Sequence, residues 1–187
     1  MTDRSALVIQ QTKNWVNEIV IGLNLCPFAS RPFNDNTIDY IVASKHRKEP
    51  LIEQHLHQLA DCFKKLDDTA SIATSLLIFP DAYDRFDDYL ELLDLSNLLL
   101  EDLNYSGIYQ LASFHPQYLF EDSTDDDASN FTNRSPYPML HIIREIDLEK
   151  AIANYPNIED IPENNIKKLR EIGFKEMQKK LNSLSDK

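Results

Sequence analysis

The chain has 187 residues, of which 42% are hydrophobic and 27% are charged, as in an ordinary globular domain. Its formal net charge of −12 argues against a nucleic-acid partner and against binding to an anionic membrane surface, because a strongly acidic protein is repelled by both. The two cysteines, Cys26 and Cys62, are too few for a disulfide framework.

The first predicted elements are one helix and one strand. Apolar residues at helical spacing predict a helix from about Ser5 to Leu25, which ends because the residue before Pro27 is pushed out of the α region. Alternation of side chains predicts a strand at 38–43. The basic run that follows at 45–48 could bind an anion at a helix start, although a solvated loop is the simpler interpretation.

The middle of the chain alternates between helix and strand. Pro50 suits the first turn of a second helix, whose apolar positions repeat through Leu66. Residues 74–79 are β-branched and apolar on both faces, which is typical of a central buried strand. A leucine-dense helix is predicted at 84–104, closed by a glycine near its C-terminal cap, and a third strand is predicted at 108–114.

A long segment, 115–138, has no periodicity and is rich in acidic residues. Loops of this length inside a domain are usually functional or disordered. A fourth strand is predicted at 139–145, and Asp147 is expected to cap a short helix that follows it.

The last predicted helix opens at Pro162, and Gly173 interrupts or ends it. The segment 174–187 is basic and could be a loosely attached tail. The leucine-dense helix, by contrast, is acidic. The simplest interpretation is that both charges lie on helix faces exposed to solvent. Docking of the tail on that helix, within or between chains, is the alternative, so a homo-oligomer is possible.

The order of these elements is α-β-α-β-α-β-β-α-α, which predicts one α/β domain over residues 1–187. We expect a central mixed sheet of about four strands with helices packed on it. The alternative is a ferredoxin-like α+β sandwich with an extra N-terminal helix.

The carboxyl ends of the strands are the expected place for a ligand, as in other open α/β sheets. If the first three strands are parallel, the loop at 44–48, the turn at 80–81 and His115 share one edge. If the fourth strand then runs antiparallel, as we expect, its beginning brings Arg134 beside His115. The sequence therefore predicts a pocket at this edge.

The side chains around that edge suit a small anion. Arg134 could bind a carboxylate or phosphate bidentately, with Asn130, Asn133 and Ser135 as neutral ligands. His115 could act as a general acid or base, because its unperturbed pKa lies near neutral pH. The same residues also fit an ordinary turn, and a structural histidine is at least as plausible.

His141 lies inside the fourth strand, on the face of Met139 and Ile143. A core histidine bonded to the backbone is the commoner arrangement there, and a secondary acid–base role is the alternative. Arg144 marks the far end of the same strand and is a further candidate anion ligand. It lies away from His115 if the strand is antiparallel and joins it if the strand is parallel.

Other chemistries have weaker support. Only three glycines are present and none are close together, which excludes a phosphate-binding loop of the Walker or dinucleotide type. Cys26 follows a predicted helix C-terminus, where the helix dipole raises the pKa of a thiol, so a buried structural cysteine is expected. A metal or haem site built from Cys26, His115 and His141 remains an alternative, but the close ligand pairs of structural zinc are missing.

We assign no metal ligand, and the sequence indicates no particular cofactor. It has neither a signal-peptide core nor an apolar run of the ~18 residues that a membrane helix needs. A cytoplasmic protein is therefore expected.

Three segments together resemble an uncharacterised family of bacterial proteins, described only as a domain of unknown function. They are LCPFA at 25–29, YQLASFHP at 109–116, and NFTNRSPYPMLH at 130–141 with Arg144-Glu145 after it. The resemblance covers nearly the whole chain. It implies a bacterial cytoplasmic protein and supplies no activity, cofactor or catalytic residue.

The leading hypothesis is a small enzyme that acts on an anionic metabolite with histidine acid–base chemistry. A non-catalytic interaction or dimerisation domain, using the leucine-rich acidic helix and the basic tail, is the second. A metal- or haem-associated protein is the third.

Overall fold

The structure is a computed structural model that describes residues 3–44, 50–153 and 155–184. It confirms the α/β class, with a four-stranded mixed sheet and helices packed on both of its faces. None of the helices in these ranges is both long enough and apolar enough to cross a lipid bilayer. The basic run at 45–48 lies outside the described residues.

The sheet has a mixed strand order. Its strands are β1 (Ile38–Val42), β2 (Thr74–Ile78), β3 (Tyr109–Phe114) and β4 (Met139–Arg144), hydrogen-bonded in the order β1-β2-β4-β3. β1 and β2 are parallel, and β4 is antiparallel to both of its neighbours, β2 and β3. The predicted antiparallel direction of β4 is confirmed, whereas the parallel β1–β2 pair is incompatible with the ferredoxin-like alternative.

The helices flank and connect the strands. They are α1 (Asp3–Trp15), α2 (Ser30–Asn34), α3 (Leu51–Asp68), α4 (Phe86–Asp102), α5 (Glu145–Ala153), α6 (Ile161–Ile172) and α7 (Phe174–Ser183). A π-helix at Val16–Ile21 continues α1, and two short 3-10 helices lie at Ala128–Thr132 and Ile158–Asp160.

Several helix boundaries differ from the prediction. The first helix changes to π geometry at Val16 and ends at Ile21, before the predicted end at Leu25. Pro50 precedes α3 as its N-cap, with an extended ψ of 137°, and does not lie in the first turn. α5 begins directly after β4, so Asp147 lies inside its first turn and does not cap it. The short helix α2 was not predicted, because five residues carry too little periodicity.

Gly173 separates the last two helices, as the sequence indicated. Its φ of +86° is a conformation that residues with a Cβ rarely adopt, and it allows the chain to leave α6 and begin α7 at once. Pro162 lies in the first turn of α6, as predicted, where its missing N–H leaves no helical bond unmade.

The side chains of the strands alternate between two hydrophobic cores. On one face of the sheet, here called face A, Leu76, Ile78 and Met139 pack with Trp15 of α1. On the opposite face, face B, the strands pack with residues of α3 and α4 such as Phe63 and Tyr89. Burial on both faces explains why every residue of β2 is buried and why its sequence reads as continuously apolar or small.

The C-terminal segment packs against the core of face A over its described part. Met177, Leu181 and Leu184 belong to that core, so the suggestion of a loose tail does not describe residues 174–184. Part of the basic charge pairs with the long loop and not with α4. The guanidinium of Arg170 makes two bonds to the carboxylate of Asp127, at 3.1 and 2.7 Å.

Candidate functional site

The segments that carry His115 and Arg134 meet at one edge of the sheet, as predicted. β1, β2 and β3 run in the same direction, so their carboxyl ends share that edge. The segment that leads into β4 returns to the same edge, where the backbone N–H of His115 donates to Asn133 O at 3.1 Å. The backbone geometry of the proposed pocket is therefore present, and its side chains determine what it can do.

His115 has no free ring nitrogen. Its Nε2 lies 2.8 Å from the carbonyl oxygen of Tyr83, which can only accept, and its Nδ1 accepts the N–H of Gln117 at 3.0 Å. The residue is 0% exposed, and its ring packs against those of Phe86 and Tyr89. Burial lowers the pKa of the imidazole. This arrangement is that of a neutral structural histidine.

Arg134 is held inside the long loop. Its Nε donates to Tyr118 O at 3.1 Å and its Nη2 to Asp125 O at 3.0 Å. The guanidinium lies 5.0 Å from the ring centre of Phe131 and 5.5 Å from that of Phe174. Arg134 is only 6% exposed, and burial lowers the pKa of its guanidinium. These contacts fold segment 115–138 onto the core of face A.

Asn130 has the same role within that loop. Its Oδ1 accepts from Phe120 N at 3.1 Å and from Ser123 Oγ at 2.7 Å, while its Nδ2 donates to Thr124 O at 2.8 Å. The side chain is 0% exposed, so all three bonds stabilise the turn and none is available to a ligand.

The two neighbours of Arg134 also bond to the backbone. Asn133 Nδ2 donates to Ser113 O at 3.0 Å, which ties the beginning of β4 to the end of β3. Ser135 Oγ donates to Tyr137 O at 2.7 Å. The predicted anion ligands thus come together in the chain, but the bonds they form are those of an ordered turn.

Arg144 lies at the opposite edge of the sheet, as expected for an antiparallel β4. Its Nε donates to Ile72 O at 3.2 Å, its Nη1 to the hydroxyl of Tyr109 at 3.1 Å, and its Nη2 to Leu66 O. Leu66 is in the last turn of α3, where carbonyl oxygens lack helical partners. Arg144 therefore caps α3 and does not join His115.

His141 has a different environment from the other predicted site residues. Its Nε2 lies 2.7 Å from the hydroxyl oxygen of Thr74, and that hydroxyl donates to Ile142 O at 2.5 Å. A hydroxyl has a single proton, so Thr74 must accept from His141, and Nε2 carries the imidazole proton. The other nitrogen, Nδ1, is unprotonated and has no hydrogen-bond partner among the described residues.

The protonation state of His141 follows from its position. The side chain is half-buried on face A, and burial lowers the pKa of the imidazole to about 4. The ring is therefore neutral at pH 7, and the lone pair of Nδ1 is available to accept a proton or a hydrogen bond.

Tyr40 lies on the same face and in the same cross-strand row. It pairs with Leu76, which pairs with His141, so the two backbones are two strand spacings, or about 10 Å, apart. The hydroxyl of Tyr40 is buried without a partner in the described parts of the chain, and burial raises its pKa to about 12. A buried hydroxyl without a partner costs about 1–3 kcal/mol, so this group needs a functional or structural explanation.

Lys13 places a positive charge beside Tyr40. Its Nζ lies 5.3 Å from the centre of the Tyr40 ring. Within the described ranges, the ammonium group makes no salt bridge, and the side chain is half-buried. A neutral imidazole, a buried hydroxyl and an unpaired ammonium thus belong to one face of the sheet. We call Lys13, Tyr40, Thr74 and His141 the face A cluster.

The helix that carries Lys13 is unusual. It continues as a π-helix over Val16–Ile21, and such wider turns are rare and occur frequently at functional sites. The sequence did not identify Lys13 or Tyr40, because their relation to His141 depends on strand pairing and on where α1 crosses the sheet. The alternation in β1 was the available signal, but it could not show which face is shared with His141.

The cysteines and possible metal ligands add no second centre. Burial raises the pKa of Cys26, despite N–H groups of Phe28 and Ala29 that bond to its sulfur, and it raises that of Cys62 to about 12. Neither is an activated thiolate. Across the described ranges, no group of three or more His, Cys, Asp or Glu side chains is placed to hold a metal ion. Cys26, His115 and His141 form no such group.

The chain forms a three-layer α/β domain with an imidazole, a tyrosine hydroxyl and an ammonium group on one face of its sheet. Residues 7–179 match a family described as "Protein of unknown function (DUF1415)", and the chain belongs to that family. The match agrees with the resemblance of the sequence to an uncharacterised family. No curated protein and no solved structure matches the chain.

Proposed function

We propose that the protein is a bacterial cytoplasmic enzyme that binds a small anionic metabolite against face A and transfers a proton through His141. Lys13 attracts the anion, Tyr40 donates a hydrogen bond to it, and Nδ1 of His141 accepts a proton. The observation that carries this proposal is the fixed tautomer of His141, because a neutral ring with an unpartnered Nδ1 is what a general base requires.

Binding of the anion would itself raise the pKa of His141. In the free protein the pKa of His141 is about 4, which makes the imidazole a weak base at neutral pH. A negative charge close to the ring stabilises the imidazolium and raises its pKa toward the working pH. The ligand thus promotes proton transfer to Nδ1, while Thr74 continues to hold Nε2–H.

The residues first predicted for the pocket have a supporting role in this proposal. His115, Asn130, Asn133 and Arg134 fix segment 115–138 through buried hydrogen bonds. That segment leads into β4, which carries His141. We therefore assign acid–base chemistry to His141 alone and treat the other predicted residues as the scaffold that positions its strand.

The test is a thermal-shift screen of small carboxylates and phosphate esters. A ligand of the wild-type protein should raise Tm by mass action. Lys13→Gln and Tyr40→Phe should each lose this shift, whereas Lys179→Gln, which removes an exposed charge on α7, should keep it. The proposal is wrong if every ligand found stabilises Lys13→Gln and Tyr40→Phe as strongly as the wild type.

A further inference from the structure

A second feature of the molecule is a cavity away from the face A cluster. It has a volume of about 370 Å³ and lies between the turn after the π-helix and the helix α6. Asn24 and Pro27 line it from the turn, Asn165 and Lys168 from α6, and Tyr155 from the segment before α6. A volume of this size is at the lower end of the range for small-molecule sites.

The walls of the cavity are held by specific contacts. Asn165 Nδ2 donates to Leu25 O at 2.8 Å, and Lys168 Nζ donates to Leu23 O at 2.8 Å. The ring of Tyr155 packs edge-on against that of Phe28, with 5.4 Å between centres. The two hydrogen bonds join α6 to the turn, so a ligand would enter a preformed site and order few groups on binding.

The charge of the lining is opposite to that of the protein. Lys167 and Lys168 contribute two positive charges and Glu171 one negative charge. The chain as a whole has a net charge of −12. Neither lysine forms a salt bridge within the described residues. Lys168 gives one ammonium proton to Leu23 O and keeps two for an anion, and Lys167 is exposed.

Asn165 adds a hydrogen-bond acceptor to the lining of the cavity. Its amide is oriented by Leu25 O, which can only accept, so the nitrogen faces Leu25 and the oxygen faces away. Asn165 is only 5% exposed, and no residue in the described ranges donates to its Oδ1. Asn165 lines the cavity together with Lys167 and Lys168, so its Oδ1 can accept a hydrogen bond from a donor on the same ligand.

We propose that this cavity binds a small carboxylate that also carries a hydroxyl or amino group. The carboxylate contacts Lys167 and Lys168, and the hydroxyl or amino group donates to Oδ1 of Asn165. This site shares no residue with the face A cluster, so either proposal can fail without the other.

The probes are two matched pairs of compounds: malate with succinate, and glutamate with glutarate. Each pair differs only in the hydroxyl or amino group, and binding is measured by isothermal titration calorimetry with the full chain. We expect the substituted member of at least one pair to bind at least about tenfold more tightly, because only that member can donate a hydrogen bond to Asn165 Oδ1. The double variant Lys167→Gln/Lys168→Gln should bind that compound at least about tenfold more weakly than the wild type does.

The matched control is Lys175→Gln/Lys179→Gln, which removes the same charge from exposed positions on α7. It should bind like the wild type. The proposal is overturned if none of the four compounds binds at millimolar concentration, if the members of both pairs bind equally, or if the two double variants lose affinity to the same extent. Far-UV circular dichroism of each variant verifies that it is folded.

Discussion

The hydroxyl of Thr74 lies 2.7 Å from Nε2 of His141 and donates its own proton to Ile142 O. This pair of bonds fixes the tautomer of the imidazole and leaves Nδ1 as the basic nitrogen. Long-range ¹⁵N–¹H NMR spectra should show a neutral His141 ring with the proton on Nε2 at pH 7. Spectra with the proton on Nδ1 would contradict the assignment.

In Thr74→Val, the tautomer of His141 should no longer be fixed. Valine keeps the shape of threonine but cannot accept from His141 or donate to Ile142, so we expect destabilisation of about 1–3 kcal/mol and a mixture of tautomers. Ser75→Ala is the matched control, because the neighbouring Ser75 Oγ is buried without a partner among the described residues. It should be nearly neutral in urea unfolding. Equal losses for both variants would show that the bond to His141 contributes nothing.

The stability of the protein should depend on pH through His141. Its folded pKa of about 4 lies below the unfolded value of about 6.5, so the unfolded state binds more protons between these values. The contribution of His141 to the free energy of unfolding is therefore fully present above pH 6.5 and is lost as pH falls toward 4. The total loss is about 3 kcal/mol. Burial of His115 lowers its pKa and acts in the same direction.

The check is the free energy of unfolding measured in urea across pH 4–7. His141→Gln should flatten this dependence relative to the wild type, even if it changes the absolute stability. Ser75→Ala, which removes no titratable group, should keep the wild-type slope. An unchanged slope in His141→Gln would mean that the imidazole is not held neutral.

Arg134 should matter for stability more than for ligand binding. Arg134→Lys keeps the charge but lacks the planar guanidinium that donates from two nitrogens to Tyr118 O and Asp125 O and lies near the rings of Phe131 and Phe174. We expect a loss of about 2–4 kcal/mol and faster hydrogen exchange across 118–130. Arg85→Lys, at an exposed position, should have no such effect. A stable Arg134→Lys variant that fails to bind ligands would return Arg134 to the role of an anion ligand.

The ion pair of Asp127 and Arg170 joins the long loop to α6. Asp127 also accepts from Ser129 N at the beginning of the 3-10 helix, and the bonds from Arg170 and then from Ser129 hold its pKa below the usual range. Because asparagine caps as well as aspartate, Asp127→Asn isolates the ion pair, whereas Asp127→Ala loses the cap too and should cost about 1 kcal/mol more.

A double-mutant cycle of Asp127→Asn with Arg170→Gln gives the coupling of this pair. We expect a small favourable coupling that decreases at high salt, since the guanidinium is largely exposed. Additive effects of the two changes would show that the pair does not stabilise the contact between the loop and α6.

The sequence predicted the four strands and the direction of β4, because β-branched and apolar runs such as that at 74–79 carry a strong local signal. It also placed His115 and Arg134 beside each other. It could not predict that their polar atoms are used within the fold, since Tyr83 O, Tyr118 O and Asp125 O are brought there by the turns themselves. Long-range pairing likewise decides that Tyr40 and His141 share a face.

Proton uptake on ligand binding tests the central claim most directly. The heat of binding of a ligand whose thermal shift is lost in Lys13→Gln is measured at pH 6 in two buffers of different ionisation enthalpy. The account predicts that the wild type takes up protons as the anion raises the pKa of His141, and that His141→Gln binds with little uptake. Equal uptake in both proteins, or none in the wild type, would contradict it.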